Sequence, residues 1–542
     1  MLPSRYWPFA ACLLLTLVFG IALAWTPVAG WGLAIFGGLS VVGVIDLLQR
    51  KQALRRNYPV AAHFRYGLES IGPEIRQYFI ESDTDERPFS RQQRAIVYQR
   101  AKDVLDKRPF GTQRDLYGEH YEWINHSLRP VRIESADFRV VVGEDRAQPY
   151  AASVFNISAM SFGSLSANAI RALNEGARRG RFYHDTGEGS ISIYHRENGG
   201  DLVWEIGSGY FGCRNGEGRF DAERFQRNAG DPQVKMIELK LSQGAKPGQG
   251  GILPAAKVSA EIARARGVRQ GVDCVSPAAH SAFDTPIGLL EFIQRLRDLS
   301  GGKPTGFKLA IGHPWEWFSI AKAMRETGIL PDFIVVDGGE GGTGAAPLEF
   351  TDHVGAPMRE ALMLVHNTLV GLDLRARVKL AAAGKIITAF DIARAMALGA
   401  DWCNAARGFM FALGCIQSQS CHTDRCPTGV ATQDRHRQAA LDPADKAARV
   451  HNFHRNTLEA LRDLLAAAGL EHPRQLGPEH IIRRISSTEV RSLAKLHRFV
   501  PQGQLLETIP DHPVFQVFWE SARPDRFAPP PEAAAMLATK LR

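Results

Sequence analysis

Three cysteines, Cys415, Cys421 and Cys426, fall within twelve residues in the run Gly414-Cys-Ile-Gln-Ser-Gln-Ser-Cys-His-Thr-Asp-Arg-Cys-Pro427. The spacing is C-x5-C-x4-C on a loop punctuated by Gly and Pro. Three thiolates so placed can converge on one centre, and soft thiolate ligands select iron–sulfur clusters, zinc or Cu(I). Zinc asks for four ligands. His422 could be the fourth, yet C-x5-C-H-x3-C is not a usual zinc spacing. Three cysteines suit a three-iron cluster, or a four-iron cluster with one non-cysteine ligand. Cys12, Cys213, Cys274 and Cys403 are isolated and read as packing residues. A total of seven is odd, which fits a metal site in a reducing compartment better than a secreted disulfide framework.

A second group of residues with chemical potential lies in glycine-rich runs. These are Ser158-Ala-Met-Ser-Phe-Gly-Ser164, Thr186-Gly-Glu-Gly-Ser190 and Lys240-Leu-Ser-Gln-Gly-Ala-Lys-Pro-Gly-Gln-Gly-Gly251. Asp337-Gly-Gly-Glu-Gly-Gly-Thr-Gly344, Ala383-Gly384-Lys385 and Ala406-Arg407-Gly408 complete the set. Glycine lets backbone N–H groups approach an anion closely, though it also marks ordinary turns. Together the runs point to a phosphate-bearing cofactor, with Met160, Ser161, Lys240, Gln243, Gly384, Lys385, Arg407 and Gly408 as candidate contacts.

These runs must be held by a scaffold, and the sequence supplies one. From residue 150 short apolar runs alternate with helical stretches. Eight strands are predicted at 154–158, 182–185, 234–239, 272–275, 306–310, 333–336, 378–382 and 402–405. Helices are predicted at 167–179, 255–266, 289–299, 315–326 and 389–398. Such alternation implies parallel strands with right-handed crossovers, and eight units over this length suit an α/β fold of the (β/α)8 TIM-barrel type. A doubly wound sheet is the alternative, but no G-x-G-x-x-G follows the first strand. In a barrel the glycine runs fall at the strand C-terminal ends, where chemistry sits, and the last two occupy the usual phosphate site.

The N-terminus reads as a transmembrane hairpin. Residues 6–25 carry no charge, and 30–48 carry only Asp46. Each is long enough to cross a hydrocarbon core of about 30 Å. Tyr6, Trp7, Trp25 and Trp31 mark the edges, and Arg5, Arg50, Lys51, Arg55 and Arg56 flank the outer ends. The positive-inside rule then puts both ends, and the barrel, in the cytoplasm. Ala22-Leu23-Ala24 resembles a signal cleavage site, but a second span follows and would stop transfer. The expected organisation is a hairpin at 1–56, a connector and cap at 57–150 with a helix at 92–107, a barrel at 151–485, and a C-terminal tail at 486–542, flexible from Pro524 to Pro531. The net charge of 65 − 57 = +8 over 542 residues is mild, and no basic stripe with interleaved aromatics marks a nucleic-acid partner.

Taken with their order, these motifs are recognisable. The run 414–433 (GCIQSQSCHTDRCPTGVATQ) resembles the iron–sulfur loop of ferredoxin- and NADPH-dependent glutamate synthases. AMSFGSLS at 159–166, TGEG at 186–189, QGAKPGQGG at 243–251 and GGTGAAP at 341–347 resemble that family's other motifs. The likeness covers residues 130–485, the family's FMN-binding synthase domain. It implies FMN at a barrel mouth and a 3Fe-4S cluster on Cys415, Cys421 and Cys426. It implies that 2-oxoglutarate and ammonia condense to an imine that is reduced to L-glutamate. Glu188 and Lys246 then carry catalytic roles, and Lys246, Arg266 and Glu188 bind substrate, in keeping with the affinity of Lys and Arg for a dicarboxylate.

Departures from the family matter. Ile252 stands where the family has Gln, which bears on the choice of keto acid or amine. No nucleophilic Cys follows Met1, no Rossmann unit appears, and few residues follow the matched region. The nitrogen donor is therefore expected to be ammonia, with a glutaminase partner as one source, or a small amine, and electrons are expected from a ferredoxin or reductase subunit. An N-substituted glutamate is one expected product. The alternative is a membrane-tethered flavin and iron–sulfur relay without a committed substrate.

Overall fold

A computed structural model describes residues 3–49, 52–81, 87–529 and 531. The chain divides into two compact units, one up to Arg91 and one from Gln92. The 57–150 segment expected as connector and cap is therefore shared between them. Arg50 and Lys51 of the basic flank, and Pro530, lie outside the described residues.

The first unit is built on two antiparallel helices, α1 (Trp7–Ala22) and α2 (Ala29–Leu48). With the helical turn before it, α1 extends over Ser4–Ala22, and that span and α2 are each long and apolar enough to cross a membrane by length and composition. Small residues let them approach. A Cβ on Gly43 would lie 2.2 Å from the Phe9 ring, and one on Gly32 would lie 2.4 Å from Phe19. Thr16 and Ser40 hydroxyls meet across the pair at 3.0 Å. A third long helix, α3 (Ala61–Ile75), follows.

The second unit contains a closed eight-stranded parallel barrel whose strands run in chain order. They are β1 (Phe155–Ile157), β2 (His184–Asp185), β3 (Leu202–Ile206) and β4 (Val234–Lys240). The ring continues with β5 (Thr305–Leu309), β6 (Phe333–Asp337), β7 (Lys379–Ala383) and β8 (Trp402–Ala405). β8 returns to β1 through Cys403 opposite Phe155. The TIM-type α/β barrel is thus as expected, but one strand is corrected. The predicted strand at 272–275 lies outside the ring, where Cys274–Val275 pairs antiparallel with Ile252–Leu253. Its place is taken by β3, Leu-Val-Trp-Glu-Ile, buried at every position.

Helices cover the strands. α4 (Ala167–Gly180) starts at Ser166, whose hydroxyl accepts from Ala169 N, and ends where Arg181 turns left-handed at φ 54°. It buries Ile170, Leu173 and Ala177 at helical spacing. Gly176 lets it close on α5 (Pro443–Ala468), because a Cβ there would sit 2.4 Å from Val450. The hairpin formed by Arg139–Val142 and Tyr150–Ser153 lies at the end where the strands begin. There Arg146 pairs with Asp332 at 2.6 Å, just ahead of β6. The expected tail is packed through residue 524. Lys322 donates to the carbonyls of Trp519 and Ala522, and Pro524 O accepts from Ile287 N.

Candidate active site and cysteine loop

At the C-terminal ends of the strands, Lys240 closes β4 and its ammonium lies 3.2 Å from Glu188 in the loop after β2. The other Glu188 oxygen accepts from Ser276 Oγ at 3.3 Å. Gly207 and Gly251 wall this carboxylate on two sides, since a Cβ on either would lie 2.7 Å from it. Burial pushes the Glu188 carboxyl up, but Lys240, with Arg266 and Lys246, outweighs it and holds the pKa below the usual range. Glu188 is therefore an anion set among cations. Lys246 is half-buried and donates to Ala345 O at 3.3 Å. Burial and then the Lys240 charge lower its pKa, against the pull of Glu188.

Arg266, predicted to bind substrate, lies against the loop after β1. It is buried, donates to Phe162 O at 3.1 Å and lies 5.2 Å from the Phe211 ring centre. Its Nε has no hydrogen-bond partner. The guanidinium thus braces the loop after β1, with its charge felt at Glu188. Ile252 is 60% exposed, next in sequence to Gly251 at the Glu188 carboxylate.

The predicted cofactor residues gather on neighbouring loops. Met160 is buried, and Ser161 Oγ accepts from Gly189 N at 3.2 Å, tying the loops after β1 and β2. Gln243 is half-buried beside Gly244, whose N–H donates to Asp337 at 2.9 Å. A Cβ on Gly244 would lie 1.7 Å from Gly338 O, so only glycine fits. After β7, Gly384 has φ +154° and Lys385 φ +50°. After β8, Arg407 donates to Glu340 O at 2.7 Å and crosses Gly342. Burial pushes the Arg407 guanidinium down to about 10, against the fields of Asp337 and Glu340. Gly408 packs on Phe453. This cradle of close backbone, one lysine and one arginine fits a phosphate.

Inside the barrel lies a charge cluster that the sequence reading missed. Asp185, Glu205 and Glu238 bring carboxylate oxygens within 4.8 Å of one another. Lys308 on β5 bonds Glu205 and approaches Glu238 at 3.4 Å. Burial, then Glu205, raises Asp185 to about 7, and burial with Asp185 raises Glu238 further. One lysine cannot neutralise three buried carboxylates, so protons make up the difference. His280 was also missed. Its Nε2 meets Lys240 O at 2.7 Å and its Nδ1 meets Tyr210 OH at 3.1 Å. Burial lowers its pKa to about 4, so a neutral ring fixes the end of β4.

The three cysteines lie on one loop close enough to feel each other's charge. Among the described residues, the sulfurs do not form a group within 4.8 Å, the grouping one ion would need. Three soft thiolate donors on one loop are a donor set that suits an iron–sulfur cluster. Burial pushes the Cys415 thiol up to about 12. Burial opposes ionisation of Cys426 too, but N–H groups of Ala431, Thr428 and Val430 win and lower it. The loop is tied to the barrel mouth. Tyr98 OH donates to Cys415 O at 2.6 Å, Lys257 to Cys421 O at 3.1 Å, and Gln433 to the carbonyls of Gly163 and Leu165. A Cβ on Gly344 would touch Cys421 at 3.9 Å.

Residues 114–471 match a family described as a conserved region in glutamate synthase. The chain is 38% identical over 498 residues to the glutamate synthase large subunit-like protein YerD of Bacillus subtilis (strain 168), covering 84% of this chain and 94% of that one. It is 35% identical over 314 residues to an archaeal-type glutamate synthase (NADPH) of Thermotoga neapolitana. That alignment covers 58% of this chain and 59% of the relative, so the chain spans less than two thirds of that synthase. Among solved structures it is similar to a flavocytochrome b2 mutant with pyruvate bound, at 12% identity and TM-score 0.40, covering 83% of this chain and 91% of that one. It is also similar to a mandelate oxidase, at 17% identity and TM-score 0.41, covering 71% and 99%.

Proposed function

Because this chain belongs to the glutamate synthase family, and as such is an oxidoreductase, we propose that it reductively aminates 2-oxoglutarate, with ammonia or a small amine, to glutamate or an N-substituted glutamate. The observation that carries this reading is the Glu188–Lys240 pair with Lys246 beside it, a half-buried anion among cations at the strand ends. A dicarboxylate needs cations, and an ammonium or iminium needs a carboxylate. This mouth holds both within one slot.

FMN would be held by the loops after β1, β4, β7 and β8, with its phosphate at Gly384, Lys385, Arg407 and Gly408. When bound it would supply the hydride that reduces the imine. A 3Fe-4S cluster on Cys415, Cys421 and Cys426 would supply one-electron transfer from a ferredoxin or reductase partner. The chain's own residues position and polarise. Lys240 and Lys246 bind carboxylate oxygens, and Glu188 orients the nitrogen and takes the proton an ammonium must lose before its free-base nitrogen adds to the keto carbon, whose oxygen then leaves as water when the imine forms. Arg266 keeps the loop after β1 in place, and its charge holds Glu188 ionised. Exposed Ile252 gives the slot an apolar lip, which favours an alkylamine over ammonia. The hairpin of α1 and α2 spans a membrane with the barrel on the cytoplasmic side. Ammonia comes from solution or a glutaminase partner.

The test is turnover of the reconstituted protein with a low-potential chemical reductant, 2-oxoglutarate, and ammonia or methylamine. Formation of glutamate or N-methylglutamate is expected. Glu188→Gln and Lys246→Ala should each lower kcat/KM roughly ten- to hundred-fold, the value of a charged hydrogen bond of about 1.5–3 kcal/mol. Full electron transfer to small acceptors with no amino acid formed would favour the relay.

A further inference from the structure

The long helix after the hairpin, α3, carries an apolar stripe that stays exposed among the described residues of its own unit. At 100° per residue, Phe64, Leu68, Ile71 and Ile75 of α3 fall within one narrow sector. They are 74%, 45%, 48% and 36% exposed. The stripe runs on into Tyr78, Phe79 and Ile80, exposed by 55%, 85% and 70%. Arg65, Glu69 and Ser70 lie off the stripe, with Arg65 bonded to Glu69 at 2.8 Å. A soluble surface rarely leaves so much contiguous apolar area uncovered.

The start of α3 is anchored at a definite level. Asp46, buried in the last turn of α2, accepts from Val60 N at 3.0 Å and meets His63 Nε2 at 2.9 Å. Residues 60–63 are thereby pinned beside the end of the second apolar helix. If that helix ends at a bilayer surface, α3 starts there, and its fifteen residues make about 22 Å of helix. Charge in 52–81 is nearly balanced, with four arginines against three glutamates, so attraction to anionic lipid is weak and apolar burial dominates.

We propose that α3 lies in the membrane interface on the side where the hairpin ends, with Phe64, Leu68, Ile71 and Ile75 inserted among the acyl chains. This rests on the hairpin reading given above. The occupant of the stripe is lipid, not a partner protein.

The test uses the full-length protein in vesicles of zwitterionic phosphatidylcholine, with a photo-crosslinking amino acid introduced at one position at a time. Leu14, on the exposed side of α1, reports on the span. Leu68 reports on the stripe and Glu69 on the opposite side. Lipid adducts are expected at Leu14 and Leu68, with loss of adducts at Glu69. Adducts at Leu14 but none at Leu68, or protein adducts at Leu68, would overturn the proposal and leave the hairpin standing. No adducts at Leu14 would overturn the hairpin and this proposal together. The variant Leu68→Glu, which keeps helix propensity, should shift the adducts of a Phe64 probe from lipid to none, and unchanged adducts would also count against insertion.

Discussion

Three carboxylates against one lysine make Asp185, Glu205, Glu238 and Lys308 the most charged buried group in the barrel. Asp185 is raised to about 7 from an ordinary value near 4, by burial and then by Glu205. Between those values the unfolded chain loses a proton that the folded chain keeps. The folded state then binds more protons, and stability falls as pH rises from about 4 to about 7. Asp185→Asn keeps an acceptor for Gly187 N–H and removes the charge. It should flatten that slope and raise Tm at pH 8, as chemical or thermal unfolding across pH will show. The wild-type slope persisting in the variant would place the proton elsewhere. At this scale the sequence was partly legible. Glu188, Lys246 and the cysteines stood out because they sit in unusual glycine-rich or cysteine-rich runs. Glu205 and Lys308 did not, because each is the single charge of its strand, nor did Glu238, which lies between Lys235 and Lys240 in β4, and only ring closure brings them together.

Among the elements, the loops after β4 and β6 interlock through glycine. Gly244→Ala would drive a methyl into Gly338 O and push both loops apart. The expected outcome is folded protein that retains FMN poorly, measured as flavin content after gel filtration. Full flavin content would show that the interlock does not shape the site. Lys257 plays a similar part for the cysteine loop, bonding Cys421 O and lying 3.6 Å from Asp424. Lys257→Met should lower iron per chain and speed cluster loss in air, with flavin unaffected. Cys421→Ser should abolish the iron–sulfur EPR signal outright while sparing flavin. Seven of the eight barrel strands were legible because apolar runs alternate with amphipathic helices. β3 was missed because Glu205 interrupts its apolar run and β2 before it has only two residues. Residues 272–275 misled because Val-Asp-Cys-Val alternates like a strand, which it is, but in a two-stranded pair outside the ring.

For the whole molecule, the barrel and the cysteine loop form one unit and the apolar hairpin another. If the hairpin spans a bilayer, the protein stays in the pellet after alkaline carbonate extraction of membranes, and release would contradict that. The segment 504–524 belongs to the barrel unit through Lys322 and Ser319, a role hidden in the sequence because its short helices carry no motif. The mouth is proposed to be a committed site for an imine made from a keto acid and an amine. It is tested most directly by mixing anaerobically reduced holoprotein with 2-oxoglutarate alone, amine alone, or both, and following the flavin absorbance in a stopped-flow instrument. Rapid reoxidation is expected only when both are present, with one amino acid formed per flavin oxidised. Reoxidation at the same slow rate in all three mixtures, in protein carrying flavin and cluster, would contradict it.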